Sequence, residues 1–183
     1  MGGNVEAYYD ARWEAEQRKL RAKRDSVGAD EWVEWDEYFM GIAQAVKVKS
    51  KDKHTQIGAV IVGTDNEIIS TGYNSLPRGI DDYRPERYDR PEKYNWMEHA
   101  ERNAIYNAAR IGVSTKGARM YMTCGMSCID CARAIIQAGI RWVYLIPGEG
   151  AKGGHYDDEQ FTVSETLLKE AGINIVYMDR LTP

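Results

Sequence analysis

Two short motifs constrain this chain more than anything else in it: His99-Ala100-Glu101 and Cys128-Ile129-Asp130-Cys131. Each opens an alanine-rich stretch of helical composition, and Cys128 follows Glu101 by 27 residues. Cysteines at i and i+3 share one helix face, so both sulfurs can reach a single ion. A helix N-terminus and a bound cation both lower thiol pKa values, which makes thiolate ligands of them. One imidazole and two thiolates leave the fourth tetrahedral position open, as in a catalytic zinc rather than a structural one. An ion of this kind acidifies a bound water. Glu101 need not ligate, and stands two residues from His99 as the expected proton carrier. The plainer alternative is a core histidine, a surface glutamate and two buried thiols. It needs four residues to coincide on the right element types. Any fold for this chain therefore has to bring two helix N-termini to one point.

The 183 residues, 43% of them hydrophobic, suffice for one domain with a core and are few for two. A net charge of -4 argues against a nucleic-acid polymer as partner, because phosphate neutralisation needs a Lys/Arg surplus. Three cysteines within eight residues do not resemble a secreted disulfide framework. Zinc ligation in a reducing cytoplasm fits them better. Neither a membrane-spanning apolar run nor a secretory signal is visible, so a cytoplasmic location is expected.

The order of elements follows from periodicity. Val5 to Arg24 has helix-favouring composition but few large apolar residues, so residues 1–29 read as an appended helix, either solvated or used in oligomer packing. Trp35, Phe39, Ile42, Ala43 and Val46 form an apolar stripe that predicts a helix from Trp32 to about Val48, with Asp30 and Glu31 at its N-terminal end. The polar segment Lys49 to Thr55 leads into a strand over Ile57–Val62, and Ile68–Thr71 returns as its hairpin partner. Gly72 to Asn95 is a long connection without clear periodicity, the kind that is usually functional. Helices follow at Glu98–Ile111, Cys128–Ala138 and Phe161–Ala171, each stopped by a glycine. Strands are expected at Ala118–Thr123, Trp142–Ile146 and Ile173–Met178, with a glycine-rich loop over 147–158. The resulting α-β-β-α-β-α-β-α-β order predicts an α/β fold, a sheet covered on both faces that begins with a hairpin.

The stretches KSKDKHTQIGAVIV, STGYNSLPRGIDD, EHAERNAIYNAAR and CIDCARAIIQAGI resemble the deoxycytidylate (dCMP) deaminase family of the cytidine deaminase superfamily, over about residues 30 to 178. H-x-E followed by C-x-x-C is the signature of zinc deaminases. The resemblance implies a three-layer α-β-α cytidine deaminase-like fold around a central mixed five-stranded sheet. It divides the chain into an N-terminal helical extension (1–29) and a zinc-dependent deaminase domain (30–183). It implies Zn2+ held by His99, Cys128 and Cys131, with Glu101 moving protons while water replaces the C4 amino group of dCMP to give dUMP and ammonia.

The same resemblance assigns nucleotide contacts to Asn74, Ser50, Lys51, Thr55, Lys49, Ala100 and Ser127. Without it, Asn74 reads as a turn asparagine and the Lys49–Thr55 cluster as a solvated loop. Pro77, Arg78 and Gly79 fall where allosteric members of the family bind dCTP or dTTP, and a triphosphate effector would bring Mg2+. A homo-oligomer, a hexamer foremost, is implied as well. Tyr83, Tyr88 and Tyr94 read as loop packing, His54 and His155 as non-ligands, and Cys124 as a buried thiol at a strand end. Two departures stand out. Ser127 occupies the place of the family's usual proline, and the turn Thr123–Cys128 is one residue longer. They keep dCTP or a 5-substituted dCMP as alternative substrates. From another class, a non-catalytic zinc-stabilised module remains, which would have no use for Glu101.

Overall fold

The computed structural model describes residues 33–146 and 158–178, together with positions 15, 18, 19, 22, 23 and 26, which are helical. The remainder of the expected Val5–Arg24 helix, Asp30, Glu31, most of the glycine-rich loop and His155 lie outside the described residues. The chain divides into two units, Met1–Glu34 and Trp35–Pro183.

The second unit runs α1 (Trp35–Lys47), β1 (Gly58–Val62), β2 (Ile68–Tyr73), α2 (Ala100–Ile111), β3 (Arg119–Met122), α3 (Ile129–Gln137), β4 (Trp142–Leu145), α4 (Asp158–Glu170) and β5 (Asn174–Tyr177). The strands form one sheet in the order β2-β1-β3-β4-β5. β1 is antiparallel to both β2 and β3, while β3, β4 and β5 run parallel, so the sheet is mixed and five-stranded.

Side-chain alternation divides the core into two layers. Val60, Val62, Tyr121, Tyr144 and Ile146 face α1 and meet Phe39, Met40 and Ala43. Ala59, Ile61, Met120, Met122, Val143 and Leu145 face the opposite way and meet Ala100 and Ala104 of α2, Ala132 and Ile135 of α3, and Leu168 of α4. The apolar stripe on α1 is thus matched by alternate residues of the central strands. Tyr121 also donates its hydroxyl to Asp36 Oδ1 at 2.6 Å, which anchors the first turn of α1.

Several boundaries differ from the sequence expectations. α1 starts at Trp35, with Asp36 and Glu37 as the acids of its first turn. β2 extends two residues beyond Thr71, because Gly72 and Tyr73 still pair with Ala59 and Gly58. The long connection is structured: it holds a 3-10 turn at Pro85–Tyr88 and a one-turn helix at Lys93–Trp96. Its two ends are tied by the reciprocal Ser75–Glu98 backbone pair (3.1 and 2.8 Å). Arg87 lies over the Trp96 ring at 4.1 Å. These ordering contacts are not periodic, so a pattern search misses them.

Candidate active site

The register of the sheet determines what gathers at one end of it. Gly58 pairs with Tyr73 across one side of β1, and exchanges 3.0 Å hydrogen bonds with Thr123 across the other. The start of β1, the end of β2 and the end of β3 are therefore neighbours. That end is the carboxyl edge of the parallel strands, where open α/β sheets place their ligands. α2 and α3 begin there, with His99 and Cys128 as their N-cap residues.

Gly72 sets how closely α2 can approach. A Cβ at this position would stand 2.2 Å from Ala100 O and 2.3 Å from Ala104 N. Only a residue without a side chain allows helix and strand to come so near, and Ala100 and Ala104 on the helix complete the fit.

In this arrangement the Nδ1 of His99 lies 3.4 Å from the Sγ of Cys128 and 3.4 Å from the Sγ of Cys131. A tetrahedral zinc with Zn–N of about 2.0–2.1 Å and Zn–S of about 2.3 Å separates such atoms by about 3.5 Å. The three groups therefore fit Zn2+ as they stand, and all their ligand atoms lie within 4.8 Å of one another.

The electrostatics of the cluster agree with its donor set. Hydrogen bonding from Cys131 and the charge of His99 pull Cys128 down to about 3, against the effect of burial. Cys131 is pushed up by its bond to the Cys128 thiolate and by burial. For His99, burial opposes the charged ring, but the Cys128 sulfur and the Glu101 carboxylate outweigh it and the pKa rises. Glu101 is 4% exposed, and burial raises its carboxyl above the ordinary range, with His99 partly offsetting this. A carboxyl held in this way exchanges protons more readily near neutral pH.

A family profile, the cytidine and deoxycytidylate deaminase zinc-binding region, matches residues 33–146 and so spans both motifs. The chain belongs to that family. Deoxycytidylate deaminase of Mus musculus is 39% identical over 149 residues, covering 79% of either chain. The Homo sapiens enzyme of that name is 37% identical over the same span. Among solved structures, the dCMP deaminase of cyanophage S-TIM5 in complex with dCMP and dUMP superposes with a TM-score of 0.61. It is 26% identical and covers 78% of this chain and 95% of that one.

Around the deaminase motifs lie contacts that sequence reasoning missed. Glu98 accepts from His99 N at 2.9 Å and pairs with Arg102 at 2.6 Å. Arg102, directly after the first motif, also reaches Asp130 inside the second at 3.8 Å, which links the two. The i,i+4 spacing of Glu98 and Arg102 was a signal that could have been read. A second omission is Asp52, which in the sequence is hidden among lysines.

The polar segment before β1 serves chiefly to hold itself and Asn74 in place. Ser50 Oγ donates to Asn74 O at 2.8 Å and accepts from Asp52 N at 3.2 Å, so its proton is already committed. Asn74 Oδ1 accepts from Ile57 N at 2.8 Å, and Nδ2 donates to Thr55 O at 2.8 Å. One lone pair of Oδ1 remains for a ligand. Ala100 is buried at the start of α2, and Ser127 is buried with its hydroxyl 3.4 Å from that of Ser164 on α4.

Lys49 and Lys51 line a separate cavity of about 400 Å³, together with Pro77, Arg78, Gly79, Tyr83, Tyr88 and Asn107. His99, Glu101, Cys128 and Cys131 are not part of its wall. Lys51 pairs with Asp82 at 2.6 Å and lies 4.8 Å above the Tyr83 ring, and the Asp82 contact raises its pKa. Arg78 donates to Asn107, which itself donates to Thr71 O at 2.6 Å. The structure thus groups two lysines assigned to the substrate with the residues assigned to an effector. Among the described residues, no helix is long and apolar enough to cross a membrane.

Proposed function

We propose that this chain hydrolyses dCMP to dUMP and ammonia. The observation that carries the reading is the convergence of His99 Nδ1 and the sulfurs of Cys128 and Cys131 beside the buried Glu101 carboxyl. The names borne by its mouse, human and cyanophage relatives supply the substrate. His99, Cys128 and Cys131 would hold the zinc, whose chemistry when bound is to acidify water. Glu101 accepts the proton of the attacking water and places it on N3 of the cytosine. It then takes the remaining proton from the new C4 hydroxyl and delivers it to the departing amino group as C4–N4 breaks and the C4 carbonyl forms. One water is consumed and one ammonia released. Asn74 contacts the nucleotide through Oδ1, with Ala100 and Ser127 beside the base. Lys49, Lys51, Ser50 and Thr55 belong to the phosphate-binding side in this reading.

Residues 1–29 are taken as an extension and 30–183 as the deaminase domain, working in a reducing cytoplasm that keeps the thiols free. Pro77, Arg78 and Gly79, on a cavity with cationic walls, are the proposed place for a dCTP or dTTP effector and its Mg2+. The assembly proposed is a homo-oligomer, a hexamer foremost. A chain lacking residues 1–28 is expected to form an assembly of fewer subunits by light scattering after size exclusion, and an unchanged number of subunits would refute a packing role for the extension.

Steady-state assays on dCMP, dCTP, CMP, cytidine and 5-hydroxymethyl-dCMP test the substrate directly. The largest kcat/KM is expected for dCMP, raised or lowered when dCTP or dTTP is added. A preference for dCTP or the 5-substituted nucleotide would trace to the longer Cys124–Ser127 turn. No turnover of any of the five would refute the reading even with zinc bound.

A further inference from the structure

Asp52 and Lys93 form a buried ion pair that the proposed chemistry leaves unused. Their side chains are 3% and 8% exposed, and the Nζ–Oδ2 distance is 2.7 Å. The carboxylate is a junction for four donors. Oδ1 accepts from His54 N at 2.8 Å and Thr55 N at 3.2 Å. Oδ2 accepts from Lys93 Nζ at 2.7 Å and Asn74 Nδ2 at 3.4 Å.

Three separate segments meet at this point: the polar stretch before β1, the residue that follows β2, and the one-turn helix that leads towards His99. Lys93 is fixed in that helix, where its carbonyl accepts from Met97 N at 2.9 Å. Glu98, the next residue along, is then paired with Ser75. A buried ion pair is an inefficient source of stability, because mutual attraction barely offsets desolvation. What it can supply is one defined geometry, since few arrangements satisfy both charges away from water.

The group whose geometry is fixed here is the Asn74 amide. Both of its N–H bonds and one Oδ1 lone pair are committed to Asp52, Thr55 and Ile57. The remaining lone pair points where those bonds direct it. We propose that Lys93 is a positioning residue of the nucleotide site: paired with Asp52 in the interior, it sets the direction in which Asn74 faces its ligand. This rests on the reading of Asn74 as a nucleotide contact. Lys93 itself touches no reacting atom and acts through the amide.

The test is steady-state kinetics of the full, zinc-loaded chain on dCMP. Lys93→Met is expected to raise KM about tenfold while kcat stays within about threefold, the pattern of a lost contact that binds substrate and transition state alike. Lys93→Arg keeps a cation that can donate to Asp52, and is expected to return KM to within about threefold of the native value. In an Asn74→Ala background, Lys93→Met is expected to change KM by less than about twofold, because residues acting through one contact are not additive. An unchanged KM in Lys93→Met, or effects of the two substitutions that multiply, would overturn the proposal. Should Lys93→Met fail to fold, Asp52→Asn removes the other charge, and the same two outcomes decide. A native chain inactive on dCMP refutes the substrate reading. An active native chain with an unmoved Lys93→Met variant refutes the positioning role alone.

Discussion

Glu101→Gln is expected to cut turnover by orders of magnitude while leaving the zinc in place. Glutamine matches glutamate in shape but cannot carry a proton between water, N3 and the leaving amine. General acid/base groups of this kind contribute about 10²–10⁴ in rate, and kcat should fall within that range. The carboxyl is 4% exposed, and burial raises its affinity for a proton, so an amide fits the same space without a buried charge to compensate. The proposed ligand atoms are those of His99, Cys128 and Cys131, and zinc stoichiometry by atomic spectroscopy should remain near one per chain. A fully active glutamine variant would sink the mechanism. Loss of zinc from it would make Glu101 a ligand instead.

Gly72→Ala is expected to damage stability and catalysis together. The added Cβ meets the backbone of α2 at 2.2 and 2.3 Å, and backbone cannot swing aside as a side chain can. Overpacking of this kind costs about 1–3 kcal/mol, sometimes more. The helix that has to move also carries His99 at its N-cap and Glu101 in its first turn. A displacement of about 1 Å at a reacting group can cost about 10²-fold in rate, so kcat/KM should fall on that scale. Gly41→Ala is the control: it lies within α1, and a Cβ there meets nothing within 4 Å. Alanine should add about 0.5–1 kcal/mol of stability at that position. Denaturant midpoints and kinetics read both variants, and a Gly72→Ala protein with native values would show that α2 is not held by this contact.

The contrast between these two glycines marks where sequence reading stops. Each is a lone glycine between larger residues in the sequence. Only the packed structure shows that one faces open space and the other a helix backbone. The same holds for Asp52. In the string Lys-Ser-Lys-Asp it reads as one polar residue among cations, and its partner Lys93 is 41 residues away. Ser50, a nucleotide contact by resemblance and a solvated loop residue by its neighbours, donates its proton to the Asn74 carbonyl, a bond between distant segments that local pattern does not show. Asn74 reads as a turn asparagine from its loop position and as a nucleotide contact only by resemblance, and neither shows how little of its amide remains open.

The sequence by itself determined the element order and the residues able to hold a zinc. These depend on local pattern: the continuous apolar run of β1, three- and four-residue steps along α1, and i,i+3 between Cys128 and Cys131. It could state that His99 and the two cysteines had to meet, but not how. The tertiary structure decided that through strand register, which stacks the ends of β1, β2 and β3, and through the missing side chain at Gly72. It alone also separated the cavity holding Lys49, Lys51 and Arg78 from the zinc ligands, and joined Asp52 to Lys93. The physical reason is common to all of these. Pairings between distant segments follow from shape and from the satisfaction of buried polar groups, and neither leaves a periodic trace along the chain.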